Sequence, residues 1–210
     1  MTIYDLKPAF QNLLRPLCRG LAKAGVTANQ VTVATMLLSI AVGLTFALNP
    51  ESSWAAMTIP VWLFLRMALN AIDGMLAREH DMQSKLGGIL NELGDVVSDA
   101  ALYLPFALVP GISPMLVIAV VLLSILTEMA GVVAVQIGAS RRYDGPLGKS
   151  DRAFVFGLLA LLLGLGLDPG GWVNAGLAVV GILTVLTVVN RSAKALQETT
   201  ANADRGENAG

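Results

Sequence analysis

The stretch LNAIDGMLAREHDMQSKLGGILNELGDVVSDA, residues 69–100, decides how this chain folds. It places asparagines, carboxylates and an arginine within apolar runs that are long enough to enter a membrane. Over the whole chain 55% of the residues are hydrophobic, 14% are charged, and the mean hydropathy is +0.67. This balance lies outside the range of soluble domains and predicts an all-α integral membrane protein.

The chain has too few cysteines and histidines for a disulfide or for a zinc site built from these residues. The chain has one cysteine, Cys18, and one histidine, His80. An internal disulfide and a zinc site of Cys or His ligands are therefore excluded. Any bound metal must be held by oxygen ligands, and no nucleic-acid partner is expected.

Six apolar runs are long enough to span a membrane, which needs about 20 residues per helix. They lie at approximately 27–48, 54–78, 84–109, 114–139, 152–167 and 172–190, and are numbered spans 1–6. In residues 1–24, apolar residues recur at helical spacing, which predicts an amphipathic helix in the membrane interface; a solvent-side amphipathic helix is the alternative. We expect one membrane domain over 1–194 and a disordered polar tail over 195–210.

Lysine and arginine are distributed unevenly among the loops. They precede span 1, lie between spans 2 and 3 and between spans 4 and 5, and follow span 6, whereas the loops NPESS, PGISP and LDPGG contain none. Positive loops remain on the cytoplasmic side. The sequence therefore predicts that both termini and the 2–3 and 4–5 loops lie in the cytoplasm. The expected location is a bacterial inner membrane.

Polar residues follow helical spacing on the two spans that the stretch connects. Asn70 and Asp73 are three residues apart on span 2, and Asn91, Asp95 and Asp99 are four apart on span 3. Each set shares one face of its helix, and the two faces can meet. Oxygen ligands without His or Cys suit Mg²⁺ or Mn²⁺ bound together with phosphate. The alternative is a polar contact that only stabilises the bundle.

These residues resemble the signature of the CDP-alcohol phosphotransferase family, D-x2-D-G-x2-A-R-x8-G-x3-D-x3-D. The corresponding residues, with every spacing intact, are Asn70-x2-Asp73-Gly74-x2-Ala77-Arg78-x8-Gly87-x3-Asn91-x3-Asp95. VTANQVT, residues 26–32, is similar to the family's V-T-P-N-x-x-T segment before the first span. The predicted architecture is also that of the family.

The resemblance implies a transferase that moves a phosphatidyl or similar group from a CDP-linked lipid donor to an alcohol or phosphorylated alcohol, releasing CMP. It implies a homodimer in membrane lipid, and two divalent cations, Mg²⁺ or Mn²⁺, bound between spans 2 and 3. The implied metal ligands are Asn70, Asp73, Asn91 and Asp95. The implied CDP-binding residues are Asp73, Gly74, Ala77, Arg78 and Gly87. Asp95 is implied to be the catalytic general base.

Two family aspartates are asparagines in this chain, Asn70 and Asn91. An amide oxygen can still bind a hard cation, but it brings no charge. Two alternatives therefore remain beside the transferase. One is a catalytically impaired relative that binds nucleotide or lipid as a partner subunit, and the other is a cation transporter that uses the intramembrane acids.

Two further groups of charged residues are candidates for function. Arg66, Asp99 and Glu128 each lie about 18–21 Å from the cytoplasmic end of their helix if every helix is continuous, which predicts a buried ion network; its functional alternative is a proton path or a site for a polar acceptor. Lys149 and Arg152, in the loop before span 5, are candidates for binding an acceptor phosphate. The alternative for that loop is simple positive-inside topology.

Overall fold

The chain is helical throughout the part that the computed structural model describes, which is the backbone of residues 3–207 and the side chains of residues 8–202. Within these residues it forms seven α-helices and a short 3-10 helix, with no β-strand. The helices are α1 Ile3–Lys23, α2 Ala28–Leu48, α3 Ser53–Glu79, α4 Lys85–Tyr103, α5 Pro114–Gln136, α6 Lys149–Gly164 and α7 Gly171–Glu207. The 3-10 helix, Leu104–Leu108, follows α4 directly.

Four helices are long and apolar enough to cross a membrane: Ala28–Leu48, Ser53–Glu79, Pro114–Gln136 and Gly171–Asn202. Large apolar side chains on these helices are exposed, including Leu44 on α2 and Leu122 on α5. Exposed apolar surface of this extent suits lipid and not water. The prediction of an all-α membrane protein is thereby confirmed. Six spans stay a prediction, since α4 carries four charged residues and α6 has only 16 residues.

The chain divides into two compact units, Met1–Leu102 and Tyr103–Gly210. In the first unit, α1 and α2 both pack on α3. Cys18 of α1 is buried against Ile72 and Leu76 of α3, and Thr27 caps the start of α2 through a capping box with Gln30. The interfacial position of α1 stays a prediction, and the side chains of its first residues, through residue 7, lie outside the described residues.

A glycine allows α4 to approach α2 closely. A Cβ atom at Gly43 would collide with the backbone oxygen of Ala101. The backbones of the two helices are therefore nearly in contact at this level. This contact helps to hold the polar face of α4 within the first unit.

In the second unit α5 packs on α7, and α7 extends further than the sequence predicts. The prediction of a disordered tail from residue 195 is wrong for residues 195–207, which continue the helix to Glu207. The reason is a packing partner that composition does not reveal. Ala195 is buried with Ala134 and Ala139, and Glu198 accepts hydrogen bonds from the backbone nitrogen and hydroxyl of Ser140.

Candidate functional site

Asp95 lies where the polar faces of α3 and α4 meet. Its Oδ1 atom accepts a hydrogen bond from Asn70 Nδ2 at 3.3 Å and another from Arg66 Nη2 at 3.1 Å. The same Arg66 nitrogen donates to the backbone oxygen of Asp95 at 3.2 Å. The candidate general base is thus held by two side chains of α3.

Asp73 lies one helical turn further along the same face of α3 and is buried. Its Oδ2 atom accepts a hydrogen bond of 3.0 Å from Thr32 Oγ1, so α2 also contributes to the site. Thr32 was missed as a site residue by the sequence analysis, although it is the last residue of the VTANQVT segment. That segment is the signal that could have identified it.

The glycines of the motif leave room for polar side chains. A Cβ atom at Gly74 would lie 3.0 Å from Arg78 Nη2, so the exposed guanidinium of Arg78 covers that glycine. A Cβ atom at Gly87 would lie 2.7 Å from Asn29 Oδ1. Ser84 Oγ accepts hydrogen bonds from Gly87 N and from Asn29 Nδ2, at 2.9 and 3.3 Å.

The remaining motif residues are less enclosed. Asn91 is exposed, one turn before Asp95 on α4. Ala77 is partly buried at the edge of the packing between α1 and α3. The site is therefore open on the side of Asn91 and Arg78, which is the end of α3 and the beginning of α4.

Arg66 joins the motif to the deeper charged residues. Its Nη1 atom pairs with Asp99 Oδ1 at 2.5 Å, while its Nη2 atom reaches Asp95. Asp95 and Asp99 are one turn apart on α4, and four residues of helix rise about 6 Å. A planar guanidinium has donors on both sides and contacts both turns. Arg66 and Asp99 are both buried.

Glu128, the third residue of the predicted ion network, lies among arginines. It forms ion pairs with three arginines of its own unit: Arg152 at 2.8 Å, and Arg191 and Arg141 at 3.5 Å each. Of the predicted network of Arg66, Asp99 and Glu128, the pair of Arg66 with Asp99 is observed, and the connection of Glu128 to that pair stays a prediction.

The ion pair between Arg141 and Glu128 is explained by a reversal of the chain after α5. The depth of Glu128 was estimated as if the helix continued to Arg141, but α5 ends at Gln136. The backbone then folds back, and Arg142 N donates to Gly131 O at 3.3 Å. Arg141 is therefore returned to the level of Glu128.

Arg152 is fully buried within this arginine cluster, which we define as Arg141, Arg152 and Arg191 around Glu128. Its Nη1 atom donates to Thr127 Oγ1 at 3.0 Å. Lys149, the other predicted acceptor residue, is partly exposed at the first position of α6.

Arg191 was treated by the sequence analysis only as a topological signal. It is 2% exposed and donates to the backbone oxygen of Thr127 at 2.5 Å. No local sequence pattern marks this role, since the partners are 64 residues apart. An open cavity of about 420 Å³ lies beside the cluster and is lined by Arg141, Arg142, Tyr143 and Asp144.

The segment between α5 and α6 is tied to the end of α7 by ion pairs. Asp144 pairs with Lys194 at 2.9 Å and with Arg142 at 2.7 Å, and Arg142 also pairs with Glu198 at 2.7 Å. The ammonium of Lys194, followed by the guanidinium of Arg142, lowers the pKa of Asp144 below its ordinary value against the opposing effect of burial.

This shift predicts a pH dependence of stability. A folded-state pKa below the unfolded value of about 3.9 means that the stabilisation by Asp144 is complete above that pH and is lost as pH falls through the folded pKa. Asp144→Asn should therefore lower the melting temperature at pH 7. As the pH is lowered, the melting temperature of the variant should fall less than that of the unaltered protein. Melting curves of the purified protein from about pH 7 to 3 test this. Asp168→Asn, at an exposed acid in another loop, is the control; an identical pH profile for both variants would contradict the assignment.

The motif residues fit a hard divalent cation by the chemistry of their donors. Asp73 and Asp95 offer carboxylates, and Asn70 and Asn91 offer amides. Among the described residues no group of three or more His, Cys, Asp or Glu side chains is placed to hold a metal ion. The asparagines account for this, because two of the four motif positions have no carboxylate. A set of two carboxylates is adequate for Mg²⁺ or Mn²⁺ when substrate phosphates complete the coordination.

Fold and site together define an α-helical membrane protein with an oxygen-rich polar site on facing helices. The chain belongs to the CDP-alcohol phosphatidyltransferase family, whose model matches residues 25–190. The resemblance seen in the motif is thereby confirmed. The match ends near the point where α7 begins its contacts with the segment between α5 and α6.

Relatives and solved structures agree with this membership. The chain is 47% identical to the inner membrane protein YnbA of Escherichia coli (strain K12) over 91% of this chain and 94% of that protein. It is 32% identical to the phosphatidylinositol phosphate synthase of Mycobacterium tuberculosis, but over only 46% of this chain and 43% of that enzyme.

Crystal structures of a phosphatidylinositol phosphate synthase from Mycobacterium tuberculosis share the fold. The structure with CDP-DAG bound has a TM-score of 0.71 and 20% identity, covering 88% of this chain and 92% of that one. The structure in complex with manganese and citrate has a TM-score of 0.72 and 22% identity, covering 86% and 88%.

Proposed function

We propose that this protein transfers a phosphatidyl or related group from a CDP-linked lipid, such as CDP-diacylglycerol, to an alcohol, with release of CMP. The observation that carries the proposal is the position of Asp95. It lies on the shared face of α3 and α4, in contact with Asn70 and one turn beyond Asn91, with the whole family spacing preserved.

In this proposal Asp95 accepts the proton of the acceptor hydroxyl. The acceptor oxygen forms a bond to the β-phosphorus of the donor, and the bond from that phosphorus to the bridging oxygen breaks. The bridging oxygen leaves with the α-phosphorus as CMP. Arg66 and Asn70 orient the Asp95 carboxylate, which needs only hydrogen-bond reach of the hydroxyl.

Donor binding is assigned to the open end of the site. Arg78 is exposed beside Gly74 and can pair with a phosphate oxygen of the donor. Gly87 lets the side chains of Asn29 and Ser84 approach α4, and the nucleotide is assigned to the surface beside them, which Ala77 completes. Mg²⁺ or Mn²⁺, held by Asp73 and Asp95 with the amides of Asn70 and Asn91, would neutralise the diphosphate and its leaving group.

The second unit supplies the candidate acceptor residues. Arg152 and Lys149 are proposed to bind the phosphate of a phosphorylated acceptor. The arginine cluster brings three guanidinium groups together around Glu128, and guanidinium groups are well suited to bind phosphate. The relatives named phosphatidylinositol phosphate synthases support this proposal.

The membrane arrangement is proposed together with the activity. Helices α4 and α6 complete six spans, α1 lies in the interface, and both termini and the site face the cytoplasm of a bacterial inner membrane. The support is the distribution of positive loops and the inner membrane relative. A homodimer is proposed from the family alone.

The test is CMP release by the purified protein. Radiolabelled CDP-diacylglycerol is incubated with a panel of free and phosphorylated alcohols in the presence of Mg²⁺ or Mn²⁺. We expect metal-dependent CMP release with at least one acceptor and a labelled lipid product. Absence of CMP release across the panel, from protein that melts cooperatively, would refute the transferase.

A second candidate is a non-catalytic partner subunit that binds nucleotide or lipid. The asparagines at positions 70 and 91 favour it, because they remove half of the motif's charge. Retained binding of CDP-diacylglycerol without CMP release distinguishes it from the transferase. Family membership argues against the cation transporter.

Adjacent glycines provide a test of the nucleotide position. Gly87→Ala places a methyl group against Asn29 and Ser84 and should raise the donor KM by about tenfold or more, since a misplaced contact in a binding site is costly. Gly88→Ala gains the same helix propensity but meets nothing within 4 Å. Donor KM values of the two variants, measured by CMP release, test the assignment. Equal KM values would place the nucleotide elsewhere.

A further inference from the structure

The last turn of α3 carries Arg78, the residue to which binding of the donor phosphate is assigned. Arg78 is exposed, and its guanidinium folds back one turn along the helix, where a Cβ atom at Gly74 would lie 3.0 Å from Nη2 and 3.3 Å from Nη1. The direction in which Arg78 leaves the helix therefore depends on how the last turn of α3 is held. Two contacts help to hold that turn.

The first contact is a cap at the end of α3. Met82 N donates to Ala77 O at 3.1 Å. Asp81, just before Met82, has a φ of 55°, in the left-handed region that this kind of cap requires. Met82 also packs against the buried cluster that contains Cys18. The chain that leaves α3 is thereby tied back to the helix.

The second contact comes from α1 and reaches Glu79, the last residue of α3. Arg15 Nε donates to Glu79 Oε2 at 3.1 Å, and Arg15 Nη2 donates to Glu79 Oε1 at 3.0 Å. The guanidinium and the carboxylate thus meet in the two-bond geometry that fixes the orientation of both groups. Arg15 Nη1 also donates to Asn12 Oδ1, which holds the guanidinium on its own helix.

The ion pair lies at the edge of a buried contact between the same two helices. Cys18, one turn after Arg15, is buried against Leu76 of α3. The side chains of Arg15 and Glu79 are 33% and 38% exposed. An ion pair with this exposure contributes little to the free energy of unfolding, so the packing around Cys18 is what joins α1 to α3. The ion pair is therefore better suited to fix the rotation of the last turn of α3 than to hold the fold together.

Glu79 and Arg78 are neighbours in this turn, about 100° apart around the helix axis. A carboxylate that is held toward α1 by two hydrogen bonds therefore fixes the direction of the Arg78 side chain at its base. We propose that Arg15 is a positioning residue for donor binding, and that it acts through Glu79 on Arg78. The inference rests on the proposed function for the identity of the donor, a CDP-linked molecule whose phosphate Arg78 contacts.

The test is the affinity of the purified full chain for CDP in the presence of Mn²⁺, measured by isothermal titration calorimetry. The variants are Arg15→Gln, Glu79→Gln and the two combined. We expect each single substitution to raise the Kd by about two- to fivefold, the range that an exposed ion pair can supply. The combined variant should bind no more weakly than the weaker single variant, because the second substitution removes a contact that is already broken.

The sign of the Glu79→Gln effect separates positioning from simple electrostatics. CDP is an anion, so loss of the positive charge of Arg15 would weaken binding by charge alone, whereas loss of the negative charge of Glu79 would strengthen it. Positioning predicts weaker binding in both variants. An unchanged or lower Kd for Glu79→Gln would overturn the proposal. Lys23→Gln, which removes another exposed positive charge of α1, is the control, and a rise in Kd equal to that of Arg15→Gln would also overturn it.

Steady-state CMP release adds a readout that general destabilisation would not give. The donor KM should rise with the Kd of CDP in both single variants, while kcat at saturating donor stays near that of the unaltered protein. The melting temperature should change little, because the ion pair is partly exposed. A loss of kcat with an unchanged donor KM would overturn the positioning role.

Failure of this inference and failure of the proposed function give different results. CMP release without the shared rise in Kd would leave the transferase standing and overturn the role of Arg15. CDP binding that weakens in both variants, without any CMP release, would refute the transferase and support the positioning role. Absence of CDP binding by the unaltered protein would overturn the positioning role, and CMP release would then judge the transferase by itself.

Discussion

Asp95→Asn is expected to lower the kcat of CMP release by about 10²–10⁴-fold, the usual contribution of a positioned general base. The substitution keeps the size of the side chain, but an amide cannot accept the proton of the acceptor hydroxyl. The donor KM should change less, because an amide oxygen can still bind the cation and the nucleotide is assigned to the region of Gly74, Arg78 and Gly87. Steady-state kinetics with CDP-diacylglycerol measure both quantities.

The control is Asp99→Asn, which removes the other carboxylate bound to Arg66. If Asp95 acts as a base and Asp99 only balances charge, Asp99→Asn should lower the melting temperature but retain much of the kcat. An Asp95→Asn variant with more than a tenth of the original kcat would contradict the assignment. Equal losses of kcat in both variants would indicate that Arg66, and not the base, had been disturbed.

The membrane helices of the first unit follow from local properties of the sequence. Span 1 was expected at 27–48, and α2 is Ala28–Leu48. A long apolar run and a threonine cap are both encoded within a few residues of the helix end. The meeting of Asn70 with Asp95 is also local in origin, because helical period and one short hairpin bring the two faces together.

The ion pairs around Glu128 could not be predicted from local sequence. It depends on the reversal after Gln136 and on residues from α6 and α7, at separations that range from 13 to 63 positions from Glu128. Helical period describes only the face on which each residue lies. The choice among several possible arginine partners is made by tertiary packing, which also explains why the helix of residues 195–207 was predicted to be disordered.

The contact between Arg66 and Asp95 shows a further limit of prediction from sequence. Depths estimated from helix rise locate Cα atoms, whereas a long side chain can reach across more than one turn. Arg66 was therefore assigned to a structural network beneath the site. In the structure it also contacts a motif residue, Asp95.

Glu128→Gln is expected to destabilise the protein by about 3–5 kcal/mol, the usual cost of removing one partner of a buried ion pair. Glu128 is the carboxylate of the arginine cluster, and the substitution leaves the charges of Arg141, Arg152 and Arg191 to repel one another. At about 2–4 °C per kcal/mol, the melting temperature should fall by roughly 6–20 °C. Thermal unfolding in detergent measures the change.

Two further variants test whether the loss of stability in Glu128→Gln comes from the burial of its ion pairs or from the removal of any negative charge. Glu198→Gln removes an acid from the more exposed pair with Arg142 and should cause a much smaller fall in melting temperature. Glu128→Gln combined with Arg152→Met removes one uncompensated arginine and should recover part of the loss, because the remaining cluster has less repulsion. Equal melting temperatures for Glu128→Gln and Glu198→Gln would contradict the assignment of Glu128 as the buried carboxylate that stabilises the arginine cluster.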